Sequence, residues 1–328
     1  MLWLSTALAL ALTAVFLYGT EFGEIANAFR SANYLLLVPA LSLYFLGVFM
    51  RAARWHFLLR SIKPIKFSRL FQITVIGYMA NNLLPFRIGE VARAIIVGNT
   101  EGVSRTSTLV TIVLERVFDG ITLVLFIGIA SIFLDLNTYL RAVLLFASIL
   151  FATALLVLVL FAGFRQRFDH FIHRFIKCLP ERFASRSHRL VDSFFHGVSV
   201  LRNPTDAIAA LVLSALAWIC EAGMYSILAL GFGLTLIFPI YLLATAVANL
   251  VTVIPSTPGY LGVFDAPIRY VLEISGVNPS VAASYTILLH AALIIPIVLL
   301  GLSFTCRLGI SLAQLKESSR REALSQTQ

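Results

Sequence analysis

The sequence predicts an all-α polytopic membrane protein, with about six full transmembrane helices plus two inverted re-entrant helical hairpins, arranged as an inverted repeat. Three observations carry that expectation. Apolar residues make up 59% of the 328 positions and charged residues only 12%, about half the charge of a soluble domain. Eight apolar runs, most of them near the ~20 residues that span a bilayer, are separated by loops rich in basic residues. Two of those runs end in proline and glycine. The net charge of +9 would suggest nucleic acid in a soluble protein. Here the basic residues lie between apolar runs, where they set topology and meet lipid head groups, so nucleic acid is not expected as a partner.

Run one covers 2–18. No basic residue precedes it, so an uncleaved first helix is expected rather than a signal peptide. The 19–33 loop carries Glu21 and Glu24 against Arg30 and suits the outside. Run two is 34–50, followed by Arg51, Arg54, Arg60, Lys63, Lys66 and Arg69, which mark a cytoplasmic loop. Run three, 70–86, breaks at Pro85; runs four and five are 106–134 and 141–164. The Arg-rich 165–207 loop is expected inside, with an amphipathic helix through Phe168, Phe171, Ile172 and Phe175. Run six is 208–230, run seven is 236–254 with breaks at Pro255 and Pro258, and run eight is 281–306. Residues 1–310 form one transmembrane domain. A polar tail over 311–328, with Lys316, Arg320 and Arg321, is expected in the cytoplasm, as is the N-terminus. Cys220 and Cys306 read as small apolar helix residues and no disulfide is expected.

Counting crossings produces the hairpins. With both basic loops and the tail inside, 70–105 must enter from the cytoplasm and return to it. By the same count 236–278 must enter from outside and return there. Each segment contains the break such a turn needs: N-N-L-L-P-F-R-I-G-E from Asn81 to Glu90, and N-L-V-T-V-I-P-S-T-P-G-Y-L-G-V-F-D from Asn249 to Asp265. Proline removes a backbone donor and glycine permits a sharp turn. Pro85, Gly89, Pro255, Pro258 and Gly259 are therefore the expected break points, with Asn81, Asn82 and Asn249 satisfying the broken backbone. The two halves also match: E-G-V-S at 101–104 aligns with S-G-V-N at 275–278 and sets Arg116 opposite His290, the mark of an inverted repeat.

Ionisable residues at membrane depth each need a reason, since one costs about 2.5–3.5 kcal/mol on insertion scales. Glu115 and Asp119 share a helical face, and Arg116 is spaced to pair with Asp119; the group is either a polar site or an ion-pair lock between helices. Glu221, mid-run between Trp218 and Tyr225, either meets a lipid head group or proton, or pairs with an arginine such as Arg87 or Arg116. Arg87 and Arg93 offer paired donors to a lipid phosphate, or else serve with Glu90 as cap and topology charges. Asp265 and Arg269 are the charges of the second break. His290 is either a site residue or a hydrogen-bonded core residue. No metal-ligand spacing, phosphate-cradling loop or hydrolase motif occurs, so no cofactor, metal or catalytic step is expected.

G-Y-M-A-N-N-L-L-P-F-R-I-G-E-V-A-R at 77–93, L-E-R-V-F-D-G at 114–120 and P-G-Y-L-G-V-F-D at 258–265 together resemble the flippase-like transmembrane family. That family includes the membrane region of bacterial lysylphosphatidylglycerol synthase, the multiple peptide resistance factor. The resemblance covers roughly 35 to 305 and implies a lipid-translocating fold, with Arg87, Glu90, Arg93, Glu115, Arg116, Asp119 and Asp265 as motif positions. Asp265 replaces the family's frequent Glu, and Tyr260 stands where a small residue is common. Only a short tail follows run eight, so lysyl transfer is not expected. The expected function is a flippase for a polar-headed phospholipid or polyprenyl-linked lipid in a prokaryotic inner membrane. The alternatives are a non-transporting partner subunit of a lipid-modifying synthase or glycosyltransferase, and an intramembrane enzyme. Membrane lipids are the expected partners, with a homo-oligomer left open.

Overall fold

The computed structural model describes residues 11–14, 16, 18–84, 87–163, 181–252 and 258–308, and among these it is helical without strands. The expected break points Pro85 and Pro255 lie outside the described residues, as do Phe168, Phe171, Ile172, Phe175, Cys178 and the tail with Lys316, Arg320 and Arg321.

Eleven helices follow in order: α1 Phe22–Ser31, α2 Leu37–Arg60, α3 Phe67–Leu83, α4 Ile88–Glu101, α5 Arg105–Phe133, α6 Thr138–Gly163, α7 Glu181–Val198, α8 Pro204–Leu230, α9 Phe238–Val251, α10 Asp265–Ile274 and α11 Pro279–Leu308. Among the described residues four spans are long and apolar enough to cross a membrane: Tyr34–Arg60, Thr138–Gly163, Pro204–Leu230 and Pro279–Leu308. Local chemistry sets several ends. Ser104 caps α5 by accepting from the Ser107 N–H, and Asn203 caps α8 ahead of Pro204. Gly102, at φ 68°, closes α4 in the left-handed region. The 19–33 segment contains the short helix α1, anchored to α11 where the Glu21 N–H donates to Ser280 Oγ.

Two corrections concern helix lengths. Arg51, Arg54 and Arg60 do not lie in a loop: α2 continues ten residues past the expected end of run two, and Arg54 is fully buried. The apolar face simply carries on through Ala52, Trp55, Leu58 and Leu59, and intercalated arginines masked it. Part of the 165–207 loop is also helix, α7, packed on α5 and α6.

Helix order recurs. Helices α2 to α5 have 24, 17, 14 and 29 residues, and α8 to α11 have 27, 14, 10 and 30. Packing repeats with the halves exchanged, α3 against α11 and α5 against α9, while α2 lies along α8. That central pair is antiparallel: Asn33 bonds Gly231, Leu43 faces Gly223, Arg54 meets Ser214 and Arg60 meets Asp206. In each half the short pair packs on itself, α3 on α4 and α9 on α10.

The interior is two apolar cores with a charged layer between them. Tyr44 and Val48 of α2, Leu123 and Phe126 of α5 and Trp218 of α8 belong to one core. Trp55 and Leu58, Leu114 and Phe118, and Ala210 of the same helices belong to the other. Arg51, Arg54, Asp119 and Ser214 occupy the boundary, which fixes where the site is built.

Candidate functional site

Asp119 is the hub of the charged layer. It accepts from both terminal nitrogens of Arg54, from Ser214 Oγ at 3.1 Å and from Trp218 Nε1 at 2.7 Å. Arg54 also donates to Ser214 and lies 3.6 Å from Glu115. Glu115 takes a 2.8 Å bond from Arg93, whose guanidinium stacks 3.8 Å from the centre of the Trp55 ring. The two carboxylates expected to share a face do so, and both face Arg54. The negative charge left over within α5 is matched by Arg54 and Arg93.

A second cluster stands beside the first. Arg51 donates to Glu221 at 2.6 Å and lies 4.5 Å from the centre of the Trp218 ring. Glu221 thus pairs with Arg51, not with the expected Arg87 or Arg116. Among the described residues the Asn249 amide donates to Glu221 at 3.3 Å and to the Thr245 carbonyl one turn back at 2.9 Å. Arg116 sits 3.5 Å from Asp119, as its spacing predicted, and 3.6 Å from Glu90, which also holds Arg87 at 3.2 Å.

The two turns share one backbone device. Arg87 and Tyr260 are the non-glycine residues at positive φ among the described residues, at 53° and 55°, and each stands two positions before a glycine. A side-chain oxygen accepts from each of those glycines, Asn81 from Gly89 and Asp265 from Gly262, both at 2.8 Å. Gly89 is therefore not the turn residue. It opens α4 so closely against α3 that a Cβ would stand 1.9 Å from the Gly77 carbonyl oxygen. Pro258 begins a single 3-10 turn through Gly259, whose φ is 70°. His290 grips this turn, with Nδ1 2.6 Å from Asp265 Oδ1 and Nε2 2.7 Å from the Gly259 carbonyl.

The turns meet. Arg87 donates to the Thr252 carbonyl at 3.3 Å, and Gly259 faces the Asn82 carbonyl. Between them lies a cavity of about 160 Å³ walled by Arg51, Arg87, Arg116, Glu221 and His290, with Asn81, Asn82, Tyr260 and other aromatic side chains. A neighbouring cavity of about 240 Å³ shares Arg87 and Arg116 and adds Glu90 and Asp119. Of the expected site residues, Arg93 and Glu115 line neither cavity; each is 1% exposed, and together they lock helices. Asp265 stands behind His290. Arg269, the other charge of the second break, instead donates to the Phe16 and Tyr18 carbonyls and to Glu273. The sequence reading missed Arg51 and Arg54. Their three-residue spacing within a continuing apolar face was the available signal.

Counted over the linked residues, five arginines (51, 54, 87, 93 and 116) face four carboxylates (Glu90, Glu115, Asp119 and Glu221). The network carries a net charge of +1. Nε of Arg87 and of Arg116 both face Glu90 Oε1, at 3.2 and 3.6 Å, and among the described residues none of these three buried atoms makes a hydrogen bond, so two arginines share one carboxylate oxygen at the cavity wall. Among the described residues no group of His, Cys, Asp and Glu is arranged to hold a metal ion.

The chain belongs to the lysylphosphatidylglycerol synthase transmembrane-region family, whose model matches residues 2–301. Two proteins of Methanothermobacter thermautotrophicus described as UPF0104 membrane proteins are similar to it. One is 27% identical over 286 residues, covering 81% of this chain and 83% of that protein; the other is 25% identical over 276 residues, covering 80% of each. The glycosyltransferase AglD of Haloferax volcanii is 23% identical over 351 residues. That match covers 96% of this chain and 55% of AglD, so the chain spans about half of that protein's length.

Proposed function

We propose that this family member translocates a phosphate-bearing lipid, without a catalytic step of its own, through the cavity where the two turns meet. The observation that carries the reading is the net positive charge of the arginine–carboxylate network at that cavity, where Arg87 and Arg116 share Glu90. A buried cation without a counter-charge is costly, and a phosphodiester supplies one negative charge and acceptors for both Arg87 and Arg116. The carboxylate on the wall, Glu221, is already held by Arg51, and the Trp218 face that would attract a cation is covered by the same arginine. A neutral head group therefore fits better than a cationic one, and the carboxylates serve to position arginines rather than to bind substrate.

The membrane arrangement follows from the same features. Six full crossings, with α3–α4 and α9–α10 as re-entrant hairpins from opposite faces, account for the recurring helix order and for the antiparallel packing of α2 on α8. Such an inverted repeat lets one half rock against the other around a fixed site. Both termini lie in the cytoplasm of a prokaryotic inner membrane, by the basic loops. The similarity to a longer glycosyltransferase favours a second reading, in which the chain presents lipid to a separate glycosyltransferase or synthase.

Translocation in proteoliposomes separates the two. Labelled phosphatidylglycerol, phosphatidylethanolamine and a polyprenyl phosphate sugar are each followed for loss from the outer leaflet. The expected result is acceleration over protein-free vesicles for lipids with neutral head groups, reduced at least tenfold by Arg116→Gln. No acceleration with any lipid would count against translocation and leave the partner role. Normal rates in folded Arg116→Gln protein would count against the site.

A further inference from the structure

His290 faces two acceptors. Its Nδ1 lies 2.6 Å from a carboxylate oxygen of Asp265 and its Nε2 lies 2.7 Å from the Gly259 carbonyl. A neutral imidazole has one N–H and satisfies one of these. The other contact would set a nitrogen lone pair against an oxygen lone pair at hydrogen-bond distance. The contacts are satisfied only if the pair holds one proton more than neutral histidine with ionised aspartate. That proton sits on Nδ1 beside a carboxylate, or on the carboxyl beside a neutral ring that donates from Nε2. Both forms have the same composition, so the count does not depend on which is present.

We propose that the His290–Asp265 pair is a proton-binding site, and that its proton locks the turn of the α9–α10 segment to α11. Among the described residues the ring's hydrogen-bond partners are Gly259 in that turn and Asp265 where α10 begins. Gly259, Tyr260 and Gly262 all have positive φ, at 70°, 55° and 74°, so the turn holds an uncommon backbone path that needs ties. Asp265 also accepts from the Gly262 N–H, so one carboxylate links ring and turn. When the proton leaves, one N–H bond of the ring breaks and an O–H bond forms on an accepting water. The remaining N–H stays with the Asp265 carboxylate, the stronger acceptor, so the bare Nε2 faces the Gly259 carbonyl and the turn is released there. His290 lines the same cavity as Arg87 and Arg116, so release of the turn opens the wall of the substrate site.

The other groups around the pair are accounted for. Arg51 of α2, Arg116 of α5 and Arg87 of the first turn bring positive charge to the cavity, and Glu221 of α8 is neutralised by Arg51. An anionic lipid docked on Arg87 and Arg116 therefore alters the field at His290. Tyr44, Tyr78 and Tyr260 share the cavity, and the Phe264 ring packs 4.9 Å from the imidazole. No lysine lines it.

The proton site stands on its own geometry; its use in transport rests on the translocase reading. Two measurements keep them apart. In the first, His56, His170, His173, His188 and His196 are replaced by Gln, leaving His290 as the one histidine for ¹⁵N-imidazole NMR. Both ring nitrogens are expected to be protonated or engaged in strong hydrogen bonds at pH 7. A free lone pair on either ring nitrogen overturns the site, and if the fivefold variant does not fold, uniformly labelled wild-type protein compared with Asp265→Asn gives the same readout by difference. In the second, phosphatidylglycerol movement is followed in phosphatidylglycerol/phosphatidylcholine vesicles with and without an imposed pH gradient. One proton per cycle predicts a change of up to about tenfold per pH unit. Asp265→Asn, whose amide donates permanently to His290, is expected to lose that response. A wild-type rate indifferent to gradients of either sign, with NMR confirming the protonated pair, overturns the coupling and leaves the site. No movement under any condition refutes the translocase reading instead.

Discussion

Replacing Asp119 with Leu tests the central layer most directly. The substitution removes the acceptor of two Arg54 bonds and of the Ser214 and Trp218 donors. Arg54 is fully buried and Asp119 is 4% exposed, so water cannot replace the lost partner. Breaking such a pair by removing one member costs about 3–5 kcal/mol, largely because the surviving charge stays buried. Glu115, 3.6 Å from Arg54, softens the loss and sets the expectation near 3 kcal/mol (an order-of-magnitude value from the same principle). The double variant Arg54→Met/Asp119→Leu removes both charges. Glu115 then keeps Arg93, and Arg116 keeps Glu90. Replacing a buried pair by apolar side chains is often close to neutral, so the double variant should lie within about 1–2 kcal/mol of the parent. Reversible unfolding by SDS in mixed micelles, read as a double-mutant cycle, measures both. A single variant costing under about 1 kcal/mol, or a double variant as unstable as the sum of its singles, would refute the reasoning.

Gly89→Ala should abolish folded protein, because its Cβ would meet the backbone oxygen of Gly77 at 1.9 Å; size-exclusion yield after solubilisation checks this. Gly77→Ala sets its Cβ 2.5 Å from the buried stem of Arg93 and 3.1 Å from the Gly89 carbonyl oxygen, so it should be strongly destabilised by displacing Arg93 from Glu115 and Trp55. Arg93→Lys keeps the charge opposite Glu115 but loses the planar stack on Trp55, and should cost about 1–2 kcal/mol in the same SDS titration. Arg269→Met leaves the Phe16 and Tyr18 carbonyls without their donor, so limited proteolysis should cut the N-terminal segment faster, with the remaining fragment intact.

The membrane character, the two broken segments and the recurrence of the halves were legible because each rests on composition or on proline and glycine, which act locally. Arg116 with Asp119 was legible because both sit on one helix at fixed spacing. What escaped was tertiary. Arg51 and Arg54 look the same as Arg60 and Lys63 in sequence, since all follow an apolar run, and only the partners on α5 and α8 tell buried charge from loop charge. Glu221 was given the wrong arginine for the same reason: its partner is on a helix that charge counting had ended too early. Gly89 read as a turn residue because glycine serves both backbone freedom and close approach, and the sequence does not say which. Gly259 and Gly262 do take left-handed φ in the second turn, but Arg87 and Tyr260 do so as well, and no propensity argument selects those two.

The likeness of the two turns makes their difference informative. Arg87 and Tyr260 share a left-handed φ two residues before a glycine whose N–H is held by a side-chain oxygen, although Gly262 is itself left-handed and Gly89 already lies in α4. Each segment is also tied by an acidic residue to the long helix that follows: Glu90 to Arg116 on α5, and Asp265 to His290 on α11. The aligned positions 116 and 290 thus do the same job with different chemistry. An arginine keeps its charge at any physiological pH, so the first tie is permanent and its turn can serve as a fixed anion cradle. A histidine can lose its proton, so the second tie can be undone. An inverted repeat with two equal ties would have no preferred moving half. A histidine at one of the two matched positions and an arginine at the other breaks that equivalence, and under the translocase proposal holding falls to the first turn and movement to the second.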